Sequence, residues 1–212
     1  MTDSVKPEKP YVTLGGEGTA TVEEKRSEFI GYAAHVQDET EAQNFVRRIK
    51  AKHHDARHNV YAYVLGDTVQ RYSDDGEPQG TAGVPVLEVI NKGELTDVMI
   101  AVVRYFGGTL LGAGGLVRAY SKSASLGVAS AIPVNMCECT LFDIECPYTL
   151  LGKLQNTLSA NGAKKNDIIY ADNITLKYYI KEEDLDKLIK DITEVSNGTC
   201  KVSVTDTEFK IA

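Results

Sequence analysis

Residues 97–132 read DVMIAVVRYFGGTLLGAGGLVRAYSKSASLGVASAI, and they determine how the first half of the chain folds. Residues 97–106 form the most apolar run in the chain, short and rich in β-branched residues, which is typical of a central strand covered on both faces. Five glycines follow between residues 107 and 115. Beyond them one helical stripe is formed by Leu116, Ala119, Tyr120 and Ser123. We therefore predict a buried strand, a glycine-rich loop and a helix whose small residues let it lie close to a neighbour.

The residues that precede this stretch predict a mixed α/β domain. Residues 19–36 alternate and then become apolar, which predicts a β-hairpin. Residues 39–52 carry apolar residues at helical spacing and basic residues between them, which predicts an amphipathic helix. Residues 59–66 and 69–73 predict two paired strands, and residues 84–93 predict a short helix that ends at its glycine.

After Pro133 the pattern changes to a second set of elements in the order βαββαβ. Strands are predicted at residues 139–146, 164–171, 174–180 and 200–211, and helices at residues 147–162 and 182–198. This order is typical of a ferredoxin-like domain, in which two helices cover one face of an antiparallel sheet. We therefore predict an α+β protein of two domains, residues 1–134 and residues 135–212.

Composition and charge exclude several classes of protein. The chain has 212 residues, 42% of them hydrophobic and 25% charged, which suits two modest globular domains. The formal net charge of −7 argues against coating of nucleic acid by bulk attraction, so any recognition of phosphate must be local. No segment approaches the roughly 18 apolar residues of a membrane span, and the first residues lack the apolar centre of a secretory signal. We expect a cytoplasmic protein with four reduced cysteines and no membrane partner.

Three acids, Asp74, Asp75 and Glu77, crowd a turn-rich segment that reads RYSDDGEPQGTAGVPVLEVI over residues 71–90. A calcium loop of the EF-hand type needs alternating oxygen donors and a late glutamate, and this segment has neither. Two alternatives stay open. The acids act in catalysis together with a third partner, or they form a stiff turn whose carboxylates cap nearby amides.

The segment KHHDARHNV, residues 52–60, resembles a zinc-binding helix signature with aspartate in place of the glutamate base. That chemistry requires one continuous helix, but the helical period ends near Lys52 and strand character begins at Asn59. We therefore place His58 at a loop-to-strand junction, as a hydrogen-bonded residue. Cys137 and Cys139 share one face of a strand but lack the spacing of a four-ligand zinc site. We predict no metal and no cofactor.

The glycine-rich loop completes neither a Walker motif nor a dinucleotide fingerprint. It leaves backbone amides exposed at the start of a helix, with Arg104 just before it and Arg118 and Lys122 on one helical face. Two interpretations stay open and are compatible. The amides and arginines hold an anion, or the glycines allow tight packing while Arg104 or Arg118 neutralises one of the three acids inside the fold.

Four segments taken together closely resemble the IMPACT family, also called the YigZ-like or UPF0029 family. The resemblance covers most of residues 18–130. It is carried by KRSEFIGYAAHV (25–36), HHDARHNVYAYVLG (53–66), SDDGEPQGTAGVPVLEVI (73–90) and VVRYFGGTLLGAGGLVRAYSKSA (102–124).

The resemblance implies both a fold and a role. The fold is an N-terminal ribosomal-protein-like α/β domain, similar to domain IV of elongation factor G, followed by a ferredoxin-like domain similar to domain V of that factor. Eukaryotic relatives act in translational control, and bacterial members resemble proteins associated with nucleic acid or the ribosome. The ferredoxin-like fold implied for the second domain agrees with the βαββαβ order obtained from the pattern alone.

The motif residues also supply the candidate site, and their roles follow from local anion chemistry. We expect phosphate contact from Arg104 and Arg118, stacking from Tyr105, and positioning by the acidic loop. The anion-, nucleic-acid- or partner-binding set is Arg104, Tyr105, Gly107, Gly108, Gly112, Gly114, Gly115, Arg118 and Lys122. The motif loop is His58, Asp74, Asp75, Gly76, Glu77, Pro78, Gly80, Thr81 and Gly83.

The leading functional hypothesis is a non-enzymatic regulator associated with translation. It binds RNA, the ribosome or a translation-associated protein through the glycine and arginine motif surface. One alternative is a hydrolase, metal-independent or metal-assisted, that uses His58 with Asp74 or Asp75. Another is a protein-protein adaptor whose acidic ferredoxin-like half is the docking face. The sequence leaves the oligomeric state open.

Overall fold

A computed structural model describes residues 9–211, which form two compact units. One unit spans residues 11–135, and the other comprises residues 136–211 together with residues 9 and 10. Helices and strands occur in both units, so the predicted α+β class is confirmed. No helix of residues 9–211 has the length and apolar character needed to cross a membrane.

The first unit is built on a five-stranded antiparallel sheet with the order β2-β3-β6-β4-β5. Its strands are β1 Tyr11–Leu14, β2 Gly18–Glu24, β3 Ser27–His35, β4 His58–Leu65, β5 Val69–Ser73 and β6 Val98–Tyr105, of which β1 lies outside this sheet. Its helices are α1 Glu39–Lys52, α2 Gly83–Lys92 and α3 Ala113–Ala131. The hairpin, the paired strands and all three helices were predicted.

The central strand β6 has a core on each of its faces, which explains its unbroken apolar run. Every residue of β6 except Tyr105 is buried. Val98, Ile100 and Val102 pack with buried residues of α2 and α3. Met99, Ala101 and Val103 pack with buried residues of α1 on the other face. The prediction of a central strand covered on both sides is therefore confirmed.

Helix α3 lies so close to the sheet that backbone touches backbone. A Cβ at Gly31 on β3 would lie 2.3 Å from the Ser123 carbonyl oxygen. A Cβ at Gly18 on β2 would lie 2.2 Å from the Ala131 amide nitrogen. Small residues on both elements allow this approach, as the sequence of the helix indicated.

The second unit is ferredoxin-like. Its elements are β7 Pro133–Cys146, α4 Leu151–Ala160, β8 Lys164–Tyr170, β9 Ile174–Lys181, α5 Glu182–Val195 and β10 Lys201–Ile211, with a single 3-10 turn before α4. The strands are antiparallel in the order β10-β7-β9-β8, the fourth, first, third and second of the domain. Both helices contribute to one core with the same face of the sheet.

Two features of the strands were not predicted. Residues 11–14 form β1, which pairs with β7. Strand β7 begins at Pro133 and not at Cys139. Just before the start of β7, the Ile132 carbonyl accepts a hydrogen bond from the Gly15 amide at 2.9 Å. The partner strand therefore lies more than a hundred residues away in the sequence, where local patterns carry no information about it.

Replacing Gly31 by alanine is expected to lower the free energy of unfolding by about 1–3 kcal/mol, because the new methyl group collides with the α3 backbone. Urea unfolding monitored by circular dichroism measures the change. Gly16→Ala is the matched control, since a Cβ there meets nothing within 4 Å. Similar losses in the two variants would contradict the close approach of α3 to β3.

Candidate functional site

The motif residues converge at one edge of the first sheet because its strands are antiparallel. His58 at the start of β4 lies opposite Arg104 near the end of β6. Tyr105 lies opposite Glu28 near the start of β3. Strand β5 ends at Ser73 beside β4, so the acidic turn leaves the sheet at the same edge.

Asp74 caps the start of helix α2, although it lies eight residues before the N-cap residue Ala82. Its carboxylate accepts hydrogen bonds from the amides of Gly80 at 2.9 Å, Ala82 at 3.1 Å and Gly83 at 2.7 Å. The N-cap residue Ala82 has no side chain that could do this. The expectation that carboxylates of the turn cap nearby amides is therefore met by Asp74.

The rest of the motif loop is a compact turn. The Thr81 hydroxyl and amide both donate to the Pro78 carbonyl, at 2.6 and 3.0 Å. Gly76 and Gly80 adopt φ of 86° and 76°, in the left-handed region that favours glycine. These residues shape the loop.

Asp75 fastens the turn to β4 and to α1. Its carboxylate accepts from the Asn59 amide at 2.7 Å and from Lys50 Nζ at 2.8 Å. The Asp75 carbonyl oxygen lies 2.8 Å from His58 Nδ1. His58 starts β4, as predicted, and it contacts the main chain of Asp75 in place of its carboxylate. The two aspartates of the hydrolase hypothesis thus serve structural hydrogen bonds.

Glu77 forms a buried ion pair with Arg104. Glu77 Oε1 lies 2.6 Å from Arg104 Nη1, and the two side chains are 4% and 6% exposed. The Tyr120 hydroxyl of α3 donates to the same oxygen at 2.8 Å. Burial, and then the charge of Glu77, raises the pKa of Tyr120. His58 Nε2 lies 3.9 Å from Glu77 Oε1 and completes the cluster.

The position of Arg104 therefore fits one of its two expected roles and not the other. Its charge is neutralised by Glu77 inside the fold, which is the second interpretation of the sequence. The residue is only 5% exposed, so it has no surface group for the phosphate contact that we expected. Its Nε has no hydrogen-bond partner among the described residues.

Tyr105 takes part in a chain of hydrogen bonds on the face of the sheet opposite to Arg104. Its hydroxyl donates to Asp55 Oδ1 at 3.0 Å and lies 2.9 Å from His53 Nδ1. His53 Nε2 lies 2.8 Å from the Tyr32 hydroxyl. A donating Tyr105 assigns the proton to Nδ1, so Nε2 accepts from Tyr32. The stacking role expected of Tyr105 gains no support from this placement.

The aromatic residue that sequence reasoning missed is Phe106. It is 41% exposed and directly follows β6. The period of two along a strand turns residues 104 and 106 to one face and residue 105 to the other. That period was the available signal for choosing Phe106, because it places Phe106 on the same face as Arg104 and Tyr105 on the other.

The glycine-rich loop reaches solvent, as predicted. Gly108, Gly112 and Gly114 are exposed, and the first two adopt φ of 83° and 70°. Helix α3 begins with no side-chain cap and no acidic residue in its first turn. Arg118 and Lys122 are exposed, and a Cβ at Gly114 would lie 3.6 Å from Arg118 Nη1. We call Phe106, residues 107–115, Arg118 and Lys122 the glycine surface.

Gly107 anchors the glycine surface to the β2–β3 turn. Its amide donates to Ser27 Oγ at 3.1 Å. A Cβ on Gly107 would lie 1.9 Å from the Arg26 carbonyl oxygen, so only glycine fits. Gly115 is similarly close to its neighbour, because a Cβ there would lie 2.9 Å from Leu111 Cβ.

Among the described residues, no three or more His, Cys, Asp and Glu side chains are grouped to hold a metal ion. Cys137 and Cys139 share one face of β7, with 3.7 Å between their sulfur atoms, and both are free thiols. Burial raises the pKa of Cys139 to about 12, which keeps this thiol protonated.

Comparison with known proteins matches both units. The Impact N-terminal domain matches residues 25–128, and a domain of unknown function (DUF1949) matches residues 144–199. IMPACT family member YvyE of Bacillus subtilis (strain 168) is 40% identical over 190 residues, 89% of this chain and 88% of that protein. IMPACT family member YigZ of Escherichia coli (strain K12) is 31% identical over 188 residues, 87% and 92% of the two chains.

A solved structure also matches nearly the whole chain. It is titled "Crystal structure of an hypothetical protein", and it is 28% identical with a TM-score of 0.59. The match covers 93% of this chain and 98% of that one. These matches confirm the family resemblance and the fold class that the sequence predicted.

Replacing Glu77 by alanine is expected to lower the free energy of unfolding by about 3–5 kcal/mol, because the buried charge of Arg104 loses its partner. Urea unfolding at neutral pH measures the loss. Glu88→Ala is the control, since it removes the partner of Lys92 from an exposed ion pair and should change stability little. A small effect of Glu77→Ala would contradict the buried pair.

Stability is also expected to fall with pH below about 6.5, the ordinary pKa of histidine. Burial, aided by the charge of Lys52, lowers the pKa of His53, so the unfolded chain binds a proton more readily than the folded one. The measurement is the urea midpoint between about pH 8 and pH 5. His53→Gln should flatten this dependence, whereas substitution of the exposed His54 should leave it unchanged.

Proposed function

The chain belongs to the IMPACT family, and on the geometry of its glycine surface we propose that it is a non-enzymatic regulator associated with translation. It binds RNA, free or within the ribosome, through that surface. The observation that carries the proposal is the start of α3, where exposed amides and an exposed arginine lie together without an acidic residue in the first turn.

The start of a helix is electrically positive because its first amides lack intrahelical partners. Two other helices place acids at this position. Asp38 caps α1, with Glu39 and Glu41 in the first turn, and α5 begins with three acids. Helix α3 places Arg118 over Gly114 instead, which adds positive charge to a positive site. An anion such as a phosphate is the ligand that this arrangement favours.

Further basic residues border the glycine surface. Lys25 and Arg26 form the two-residue turn between β2 and β3, whose backbone lies against Gly107. Both residues adopt positive φ, 48° and 68°, a backbone conformation that residues other than glycine rarely take. Positive φ at both central residues is what a two-residue hairpin turn of type I′ requires. The local cluster of cations offsets the net charge of −7 where RNA would lie.

The proposal is non-enzymatic because the polar groups of the motif loop already have structural partners. Asp74 holds three amides, and Asp75 holds an amide and Lys50. Glu77 holds Arg104 and Tyr120 in the interior. The groups left exposed on the glycine surface are amides and cations, which suit binding of phosphate and not acid-base chemistry.

The double variant Arg118→Glu, Lys122→Glu is expected to weaken binding to a structured RNA hairpin by on the order of tenfold or more, because two cations near phosphates become anions. Fluorescence anisotropy at several salt concentrations measures the affinity. Arg118→Ala should reduce the slope of log affinity against log salt by roughly 0.7 to 0.9. A double variant that binds like the wild type would reject the proposal.

The matched control is Lys187→Glu, Lys190→Glu, which makes the same change of charge on the exposed side of α5. It should leave RNA binding unchanged. Equal losses in the two double variants would show that total charge matters and the glycine surface does not. Recovery of a protein complex that survives high salt, with no RNA binding, would favour the adaptor hypothesis instead.

A further inference from the structure

We infer that Phe106 is the stacking platform of the glycine surface and that the ligand is RNA with unpaired bases. This inference rests on the proposed function and specifies the form of the RNA. It also moves the stacking role from Tyr105, whose hydroxyl is engaged by Asp55 and His53, to the next residue along the chain.

The ring of Phe106 is available to a ligand. It is 41% exposed and stands where β6 enters the glycine-rich loop. Its neighbour Tyr105 points to the other face of the sheet, with its ring against His53 at a centroid distance of 5.9 Å. Phe106 is thus the aromatic ring that the end of β6 presents on the same side of the sheet as Arg104.

The ring is also held in place, which lowers the entropic cost of stacking. Gly107 is fixed to Ser27 by its amide and to the Arg26 backbone by close contact. Beneath Phe106, the guanidinium carbon of Arg104 lies 5.6 Å from the ring centroid. Arg104 is itself fixed by Glu77, and it lies 5.4 Å from the ring centroid of the buried Phe29.

Basic residues lie near the ring. The guanidinium carbon of Arg57, an exposed residue, lies over the Phe106 ring at 5.9 Å from its centroid. The basic turn of Lys25 and Arg26 adjoins Gly107, the next residue. An aromatic ring with basic side chains around it is the combination by which proteins hold single-stranded nucleic acid, since bases stack on the ring while cations meet phosphates.

Duplex RNA does not suit such a platform. Within a duplex each base is covered by its neighbours on both faces, and proteins contact its phosphates and 2′-hydroxyl groups instead. Only an unpaired base has a free face for the Phe106 ring. Helix α3 and Arg118 would hold phosphates of either form, so Phe106 is the residue that distinguishes the two.

The test compares Phe106→Leu with the wild type on two probes. One probe is a single-stranded RNA without self-complementarity, and the other is the duplex that it forms with its complement. Leucine keeps an apolar cover over Arg104 but has no aromatic face. We expect an affinity about tenfold lower for the single strand and unchanged for the duplex, with the salt dependence unaltered. Phe106→Trp should retain the single-strand affinity.

The matched control is Leu126→Ala, which removes an apolar side chain that is 41% exposed, as Phe106 is, but lies in the later part of α3 outside the glycine surface. It should change neither affinity. Thermal unfolding of each variant confirms that a loss of binding does not reflect a loss of folding.

Failure of the inference and failure of the proposed function look different. If Phe106→Leu binds the single strand as tightly as the wild type, or loses affinity equally for both probes, the stacking inference is wrong and the glycine surface still binds RNA. If the wild type binds neither probe, both are rejected.

Discussion

The ion pair between Glu77 and Arg104 is the interaction on which the first unit depends where the motif residues converge. It joins the acidic turn to the central strand, and Tyr120 joins helix α3 to the same carboxylate oxygen. A buried pair adds little net stability, because desolvation offsets the attraction, but loss of either partner is costly. The pair therefore acts mainly by fixing geometry. Turn, strand and helix meet at a single buried oxygen, Glu77 Oε1.

This constraint divides the family motif into an inner and an outer part. The inner part is His58, Glu77, Arg104 and Tyr120, which lie around one carboxylate oxygen of Glu77. The outer part is the glycine surface, where amides and cations face solvent. The four inner residues therefore support the glycine surface and are not part of it.

Local patterns were enough to predict most of the fold. Residues 39–52 were predicted as a helix and form α1 with the same bounds, because an apolar stripe and a basic face coincide there. Strand β1 was not predicted, since it depends on a distant partner in β7. The site was harder to predict. Sequence identified Arg104 as chemically important, but its burial depends on the position of Glu77, which only the folded sheet determines.

The two-sided core around β6 has a consequence for folding. A strand that is apolar on both faces gives no preference for either orientation of its side chains, so hydrophobicity alone would tolerate a slip by one residue. Such a slip would move Arg104 toward α1 and turn Tyr105 toward α3, leaving each without its polar partners. The polar residues at the end of β6 thus favour the native register of this strand over one shifted by a single residue.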